Sequence, residues 1–160
     1  MRLLKALFII SFSLFCLPSF AEELLSIKPS ATLSVAKLKD QFDKEHTLLP
    51  STKWLIFAHD MQSSSLVKKA FEKQTTDTLS KANIQYYADI SAMPGLISRF
   101  VAIPRMKKQS YTIILDREGK VLKSLPKEED KVTVIELNNF KIVNIAKLTD
   151  AEELKRKIFN

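Results

Sequence analysis

In the stretch FAHDMQSSSLVKKAF, residues 57–71, an imidazole, a carboxylate and hydroxyls follow one another as His59, Asp60, Ser63, Ser64 and Ser65. A serine becomes a nucleophile when a neighbouring base takes its proton and a third group orients that base. His59 is the base within reach of Ser64, and no third group is identifiable around it. The same serines and aspartate have a structural reading, because at a helix start they cap free backbone N–H groups, worth about 1 kcal/mol each.

Two other chemistries can be asked of these residues. The His59-Asp60 pair suits a metal-dependent hydrolase, which needs further histidines at ligand spacing, and beyond the leader the only other histidine is His46. His59, Asp60 and Asp89 fall near the ends of expected parallel strands, the edge where open α/β sheets bind ligands, and would offer nitrogen and oxygen donors to a hard or borderline cation. The plainer alternative is that both aspartates end strands and open turns. Met61 carries a thioether, which does not ionise near neutrality and whose realistic chemistry is oxidation to the sulfoxide. After the leader the glycines are Gly95 and Gly119, too few for a phosphate-cradling loop. No cofactor is expected.

The compartment decides what the shortage of cysteine means. The chain opens MRLLKALFIISFSLFCLPSFA: Arg2 and Lys5 form a basic start, Ala6 to Leu17 an apolar run, and Ser19-Phe20-Ala21 a small-x-small cleavage pattern. Residues 1–21 therefore read as a signal peptide, with a periplasmic or secreted product after cleavage near Ala21. The apolar run is shorter than the roughly 20 residues of a spanning helix, so no transmembrane helix is expected in the mature form. The one cysteine, Cys16, lies in the leader, and Phe15 before it does not fit a lipoprotein signal. The mature chain thus has no thiol for exchange, nucleophilic attack or zinc ligation, in a compartment where disulfides form.

Removal of the leader leaves 23 basic against 18 acidic residues. This mild excess serves solubility or attracts an anionic partner: lipid A phosphate, peptidoglycan carboxylate or an acidic protein. The densest basic cluster is RFVAIPRMKK, where Arg99, Arg105, Lys107 and Lys108 form a candidate partner surface. No basic run interleaved with aromatics points to nucleic acid.

The elements that would position these residues follow from periodicity. Residues 34–45 place Val35, Leu38 and Phe42 on one helical face behind Ser34. KWLIFA is apolar throughout, as in a strand covered on both sides. Residues 63–83 read as one long helix, IQYYADI as a strand, and PGLISRFVAIPRMKK as a short helix ended at Pro104. YTIILDREGKVLKSL and VTVIELNNFKIVNIA read as two hairpins, turning at Asp116–Gly119 and Asn138-Asn139. Thr149 and Glu152 would form the capping box of a last helix that buries Leu154 and Ile158.

In element order and a few local strings the chain resembles the thioredoxin-like superfamily, over roughly Ser34 to Leu125 plus the final helix. That family ends the strand before its active site in A-x-x-C-x-x-C. AHDMQSS takes that place here, with Ala58 matching, Met61 at the first cysteine position and Ser64 at the second. The family's cis-proline, just before its next-to-last core strand, would fall near Ser110-Tyr111. The resemblance implies one α/β domain over residues 22–160 with a thioredoxin-like three-layer fold: a mixed sheet, helices on both faces and an additional C-terminal β-hairpin. No catalytic residue of the family transfers. The expected function is a cell-envelope binding or scaffold module without thiol-disulfide activity, its partner an envelope protein or anionic component. The alternative is a hydrolase or metal-dependent enzyme using the His59-Asp60 turn. The apolar hairpin offers an edge for self-association.

Overall fold

A computed structural model describes residues 31–159, so the expected leader and Cys16 lie outside the described residues. The apolar run at 54–58 does what its composition dictates: β3 (Trp54–Ala58) is buried along its whole length. It lies inside a seven-stranded sheet of order β2-β1-β5-β4-β3-β6-β7. The strands are β1 (Leu38–Asp40), β2 (Glu45–His46), β4 (Ile84–Asp89), β5 (Ile114–Asp116), β6 (Val132–Asn138) and β7 (Lys141–Leu148). β3, β4 and β5 run parallel, whereas β1 and β6 pair antiparallel with β5 and β3. The sheet is therefore mixed, and the hairpin β6-β7 contributes a direct neighbour of β3 as well as an edge.

Alternation along β3 divides the core in two. Trp54, Ile56 and Ala58 join α1 (Met61–Ala70), α2 (Thr76–Lys81) and α5 (Ala151–Phe159) through Val67, Phe71, Leu79, Leu154 and Ile158. Leu55 and Phe57 face Tyr87, Ile135 and Ile142 on the other side, closed by Leu33, Leu48, Leu122 and Leu125. None of the residues in this second cluster is helical, so the layer expected to be a helix is built from irregular chain packed through single leucines.

Five local expectations are corrected. Residues 34–45 are not a helix but the hairpin β1-β2, because Asp40 accepts hydrogen bonds from the N–H groups of Phe42 and Lys44 and Asp43 takes φ 68°. Such local side-chain bonds compete with helix. Gln41 then uses its buried amide like a strand, donating to Tyr111 O and accepting from Ile113 N, both at 2.8 Å. The long helix divides at Thr75, which caps α2 by exchanging hydrogen bonds with Thr78. The last helix is capped by Asp150 rather than Thr149, through a 2.7 Å bond from Glu153 N.

The first hairpin lacks its return strand. The buried carboxylate of Asp116 accepts four backbone N–H groups, from Glu118, Gly119, Val121 and Leu122, and curls the chain into a loop that delivers Leu122 and Leu125 to the core. Gly119 sits there at φ +66° with Ser91 Oγ only 2.4 Å from where a β-carbon would stand, so both conformation and space call for glycine.

Pro104 does not end its helix either. Gly95–Ile97 is α-helical (α3), Ser98–Ala102 makes a π-helical turn closed by Ile103 N donating to Ser98 O, and Ile103–Met106 (α4) follows. The wide turn restarts the helix at Ile103 and places Pro104 in a first turn, where its missing N–H costs nothing.

Candidate functional site

β3 ends at Ala58 and α1 begins at Met61, so His59 and Asp60 occupy the rim of the sheet. Asp60 has the extended backbone of an N-cap, and its Oδ1 accepts Ser63 N at 2.7 Å. The buried Ser63 reciprocates: its Oγ accepts the N–H groups of His59 and Asp60, each at 3.2 Å. The other oxygen, Oδ2, accepts the backbone N–H of Asp130 at 3.0 Å and lies 3.3 Å from His59 Nε2. Burial pushes the Asp60 carboxyl up, but the hydrogen bonds from Ser63 and Asp130 and the nearby His59 together outweigh it and hold the group below its ordinary range.

The expected residues separate into distinct surroundings. The His59 side chain is mostly buried, its ring 5.9 Å from that of Phe57, and its Nδ1 is enclosed without a hydrogen-bond partner. Met61 projects into solvent, 80% exposed. Ser64 lies near the Tyr86 phenol of β4. Burial, and then Tyr111, raise that phenol well above its usual range, and Ser64 offsets part of the rise. Among the described residues no hydrogen bond joins Ser64 to His59, so the order base, orienter and nucleophile is not assembled. Asp89 is occupied by Ser91, whose N–H and Oγ donate to Oδ1 at 3.0 and 2.7 Å. Among the described residues no three His, Cys, Asp or Glu side chains are grouped to hold a metal.

Two contributors escape a reading of the sequence. Asp130 closes the turn from 70 residues away with φ 60°, a conformation that aspartate tolerates better than most residues, and its place before an apolar strand is the only local signal. Tyr86 is invisible as a neighbour of Ser64 until β4 is set beside β3. The same geometry moves the family's proline position: the chain entering the next-to-last strand, β6, passes the start of α1 at Asp130, not at Ser110-Tyr111. Neither segment holds a proline, and no cis peptide bond occurs among the described residues.

The basic cluster lies on another segment. Arg99 is in the π turn, Arg105 in α4, and Lys107 and Lys108 follow; all four are exposed. None is in an ion pair with another described residue, and Arg99 lies over the ring of Phe100 at 5.6 Å.

No protein-family model and no curated protein matches the chain. Solved structures do. A candidate thiol:disulfide interchange protein DsbE from Chlorobium tepidum is 16% identical, with a TM-score of 0.56 over 83% of this chain and 96% of that one. A candidate protein disulfide isomerase from Bacteroides thetaiotaomicron is 13% identical, with a TM-score of 0.55 over 82% and 86%. An uncharacterised thioredoxin-like protein from Porphyromonas gingivalis is 17% identical, with a TM-score of 0.52 over 82% and 92%. At such identities the likeness speaks for architecture alone. Sheet order, the helix springing from the end of β3 and these neighbours together assign the chain a thioredoxin-like fold.

Proposed function

We propose that this chain, once freed of its leader, is a periplasmic or secreted binding module that keeps the frame of a thiol-disulfide oxidoreductase without its reaction. One observation carries the reading: at the start of α1 Asp60 Oδ1 and the Ser63 hydroxyl are engaged in capping the helix and Asp60 Oδ2 in holding the turn to the β6 entry, and residues 22–160 contain no thiol. The turn is a built surface rather than an armed one. Beside it Gln62, Ser65, Leu66, Lys69, Asp130 and Thr149 line a shallow cleft along α1, a surface on which an extended envelope polypeptide would rest. The test is reduction of insulin by dithiothreitol in the presence of residues 22–160, with precipitation expected at the uncatalysed rate. Acceleration would overturn the proposal.

A second reading is favoured by the imidazole. His59 has Nε2 beside Asp60 and Nδ1 enclosed without a partner, an arrangement in which a carboxylate steadies a base for a hydrolytic step. Complementation of a deletion strain by His59→Ala and Asp60→Ala separates the two. A binding module tolerates both changes better than a catalyst, which loses function with His59→Ala.

A further inference from the structure

The segment joining β4 to β5 is helical from Gly95 to Met106, yet none of its residues is fully buried. It touches the core through Ile103 and Met106, with Met93 just ahead of it. Its larger apolar side chains point away: Leu96 is 74% exposed, Phe100 66%, Ile97 50% and Val101 39%. At spacings of one, four and five residues these four share one flank of the helix. A helix that connects two core strands usually buries its apolar flank, and this one presents it to solvent.

Charge gives the flank its context. From Ile90 to Leu115 the chain holds no acidic residue, whereas Arg99, Arg105, Lys107 and Lys108 stand on or beside the helix, exposed and without ion-pair partners among the described residues. Apolar side chains flanked by unpaired cations are the composition of a helix that lies in the interface of an anionic bilayer. At roughly 1.5 Å per residue such a segment is too short to cross one, and no helix among the described residues is long and apolar enough to do so.

We propose that the 95–106 segment docks the domain onto a membrane surface bearing anionic phospholipid, with Leu96, Ile97, Phe100 and Val101 entering the headgroup boundary and the four cations meeting lipid phosphates. A second copy of the chain suits this flank less, because each copy would bring the same four positive charges to the contact. A foreign protein would have to supply an apolar groove rimmed with acids, whereas the bilayer supplies both features everywhere on its surface. The π turn has a role in this arrangement: it lets one short segment keep Ile103 and Met106 on the core while Phe100 faces outward. The docking is independent of the His59-Asp60 turn.

The test is co-sedimentation of residues 22–160 with vesicles of phosphatidylcholine alone and of phosphatidylcholine with phosphatidylglycerol. Binding is expected only to the anionic vesicles, and it should fall as salt shortens the screening length from about 10 Å at 0.1 M to about 3 Å at 1 M. Leu96→Ser with Phe100→Ser, which changes exposed positions only, should weaken binding by about tenfold or more at unchanged circular dichroism. Serine at all four cations should abolish it. Equal pelleting with both vesicle types, no pelleting with either, or full binding by the Leu96/Phe100 variant would overturn the proposal. So would a dimer in sedimentation velocity that the same variant dissociates, since the flank would then belong to a second copy.

Discussion

Asp60 and Asp130 are joined across 70 residues of chain by a single hydrogen bond, the backbone N–H of Asp130 donating to Oδ2 of the Asp60 carboxylate at 3.0 Å. The other carboxylate oxygen caps α1, so one side chain fixes both the helix start and the approach to β6. Asp60→Ala should therefore destabilise the fold by about 1–2 kcal/mol, the upper range for loss of a cap. Urea denaturation measures it. A cost no greater than that of an exposed substitution such as Gln62→Ala would show that the bond contributes nothing.

Acid should reveal the same contact. The Asp60 carboxyl is held below its ordinary value of 3.8, so its contribution is complete above that value and is lost as pH falls through the lower, folded one. Asp40 behaves alike: burial raises it, and the hydrogen bonds from His46, Lys44 and Phe42 together bring it below 3.8. Thermal melting between pH 5 and about 2 should give a falling Tm, and Asp60→Asn should flatten that fall. An unchanged slope in the variant assigns the acid sensitivity elsewhere.

Asp116 should be the costliest single carboxylate to remove. It is 1% exposed and accepts four backbone N–H groups, which Asp116→Ala would leave without partners. A loss of about 3 kcal/mol or more is expected. Hydrogen exchange offers a more local check, because the amides of Val121 and Leu122 should lose protection before those of β3.

The edge at β7 should not join another chain. Its register against β6 slips between Glu136 and Leu137, which leaves Val143 as the extra residue of a bulge, 52% exposed between Lys141 and Lys147. Residues 31–33 already bond its start, through Ile142 N to Ala31 O and Leu33 N to Phe140 O. Bulges, lysines and a covering segment are the devices that blunt edges. Sedimentation equilibrium should give a monomer; a dimer abolished by Val143→Pro would establish pairing at this edge instead.

The strands at 54–58 and 84–89, the β6-β7 hairpin and the inward face of the last helix were legible because composition and period alone decide them. The errors gathered where a polar side chain competes with the period. Asp40 turned an apparent amphipathic helix into a hairpin, Thr75 divided a long one, and Asp116 drew a return strand into a loop. Of the turn itself, the capping role of Asp60 and Ser63 could be read locally. Its bond to Asp130 and its nearness to Tyr86 could not, since they depend on which strands become neighbours.

The position of β3 has a kinetic consequence. One neighbour, β4, follows it after a single crossover, but the other, β6, is made of residues 132–138, in the last fifth of the chain. Until those residues arrive, one side of the most apolar strand in the molecule has unpaired N–H and C=O groups. Pairings this distant in sequence close slowly. A chain cut before residue 132 would thus present Leu55, Ile56 and Phe57 on an open edge, a template for aggregation rather than a smaller domain.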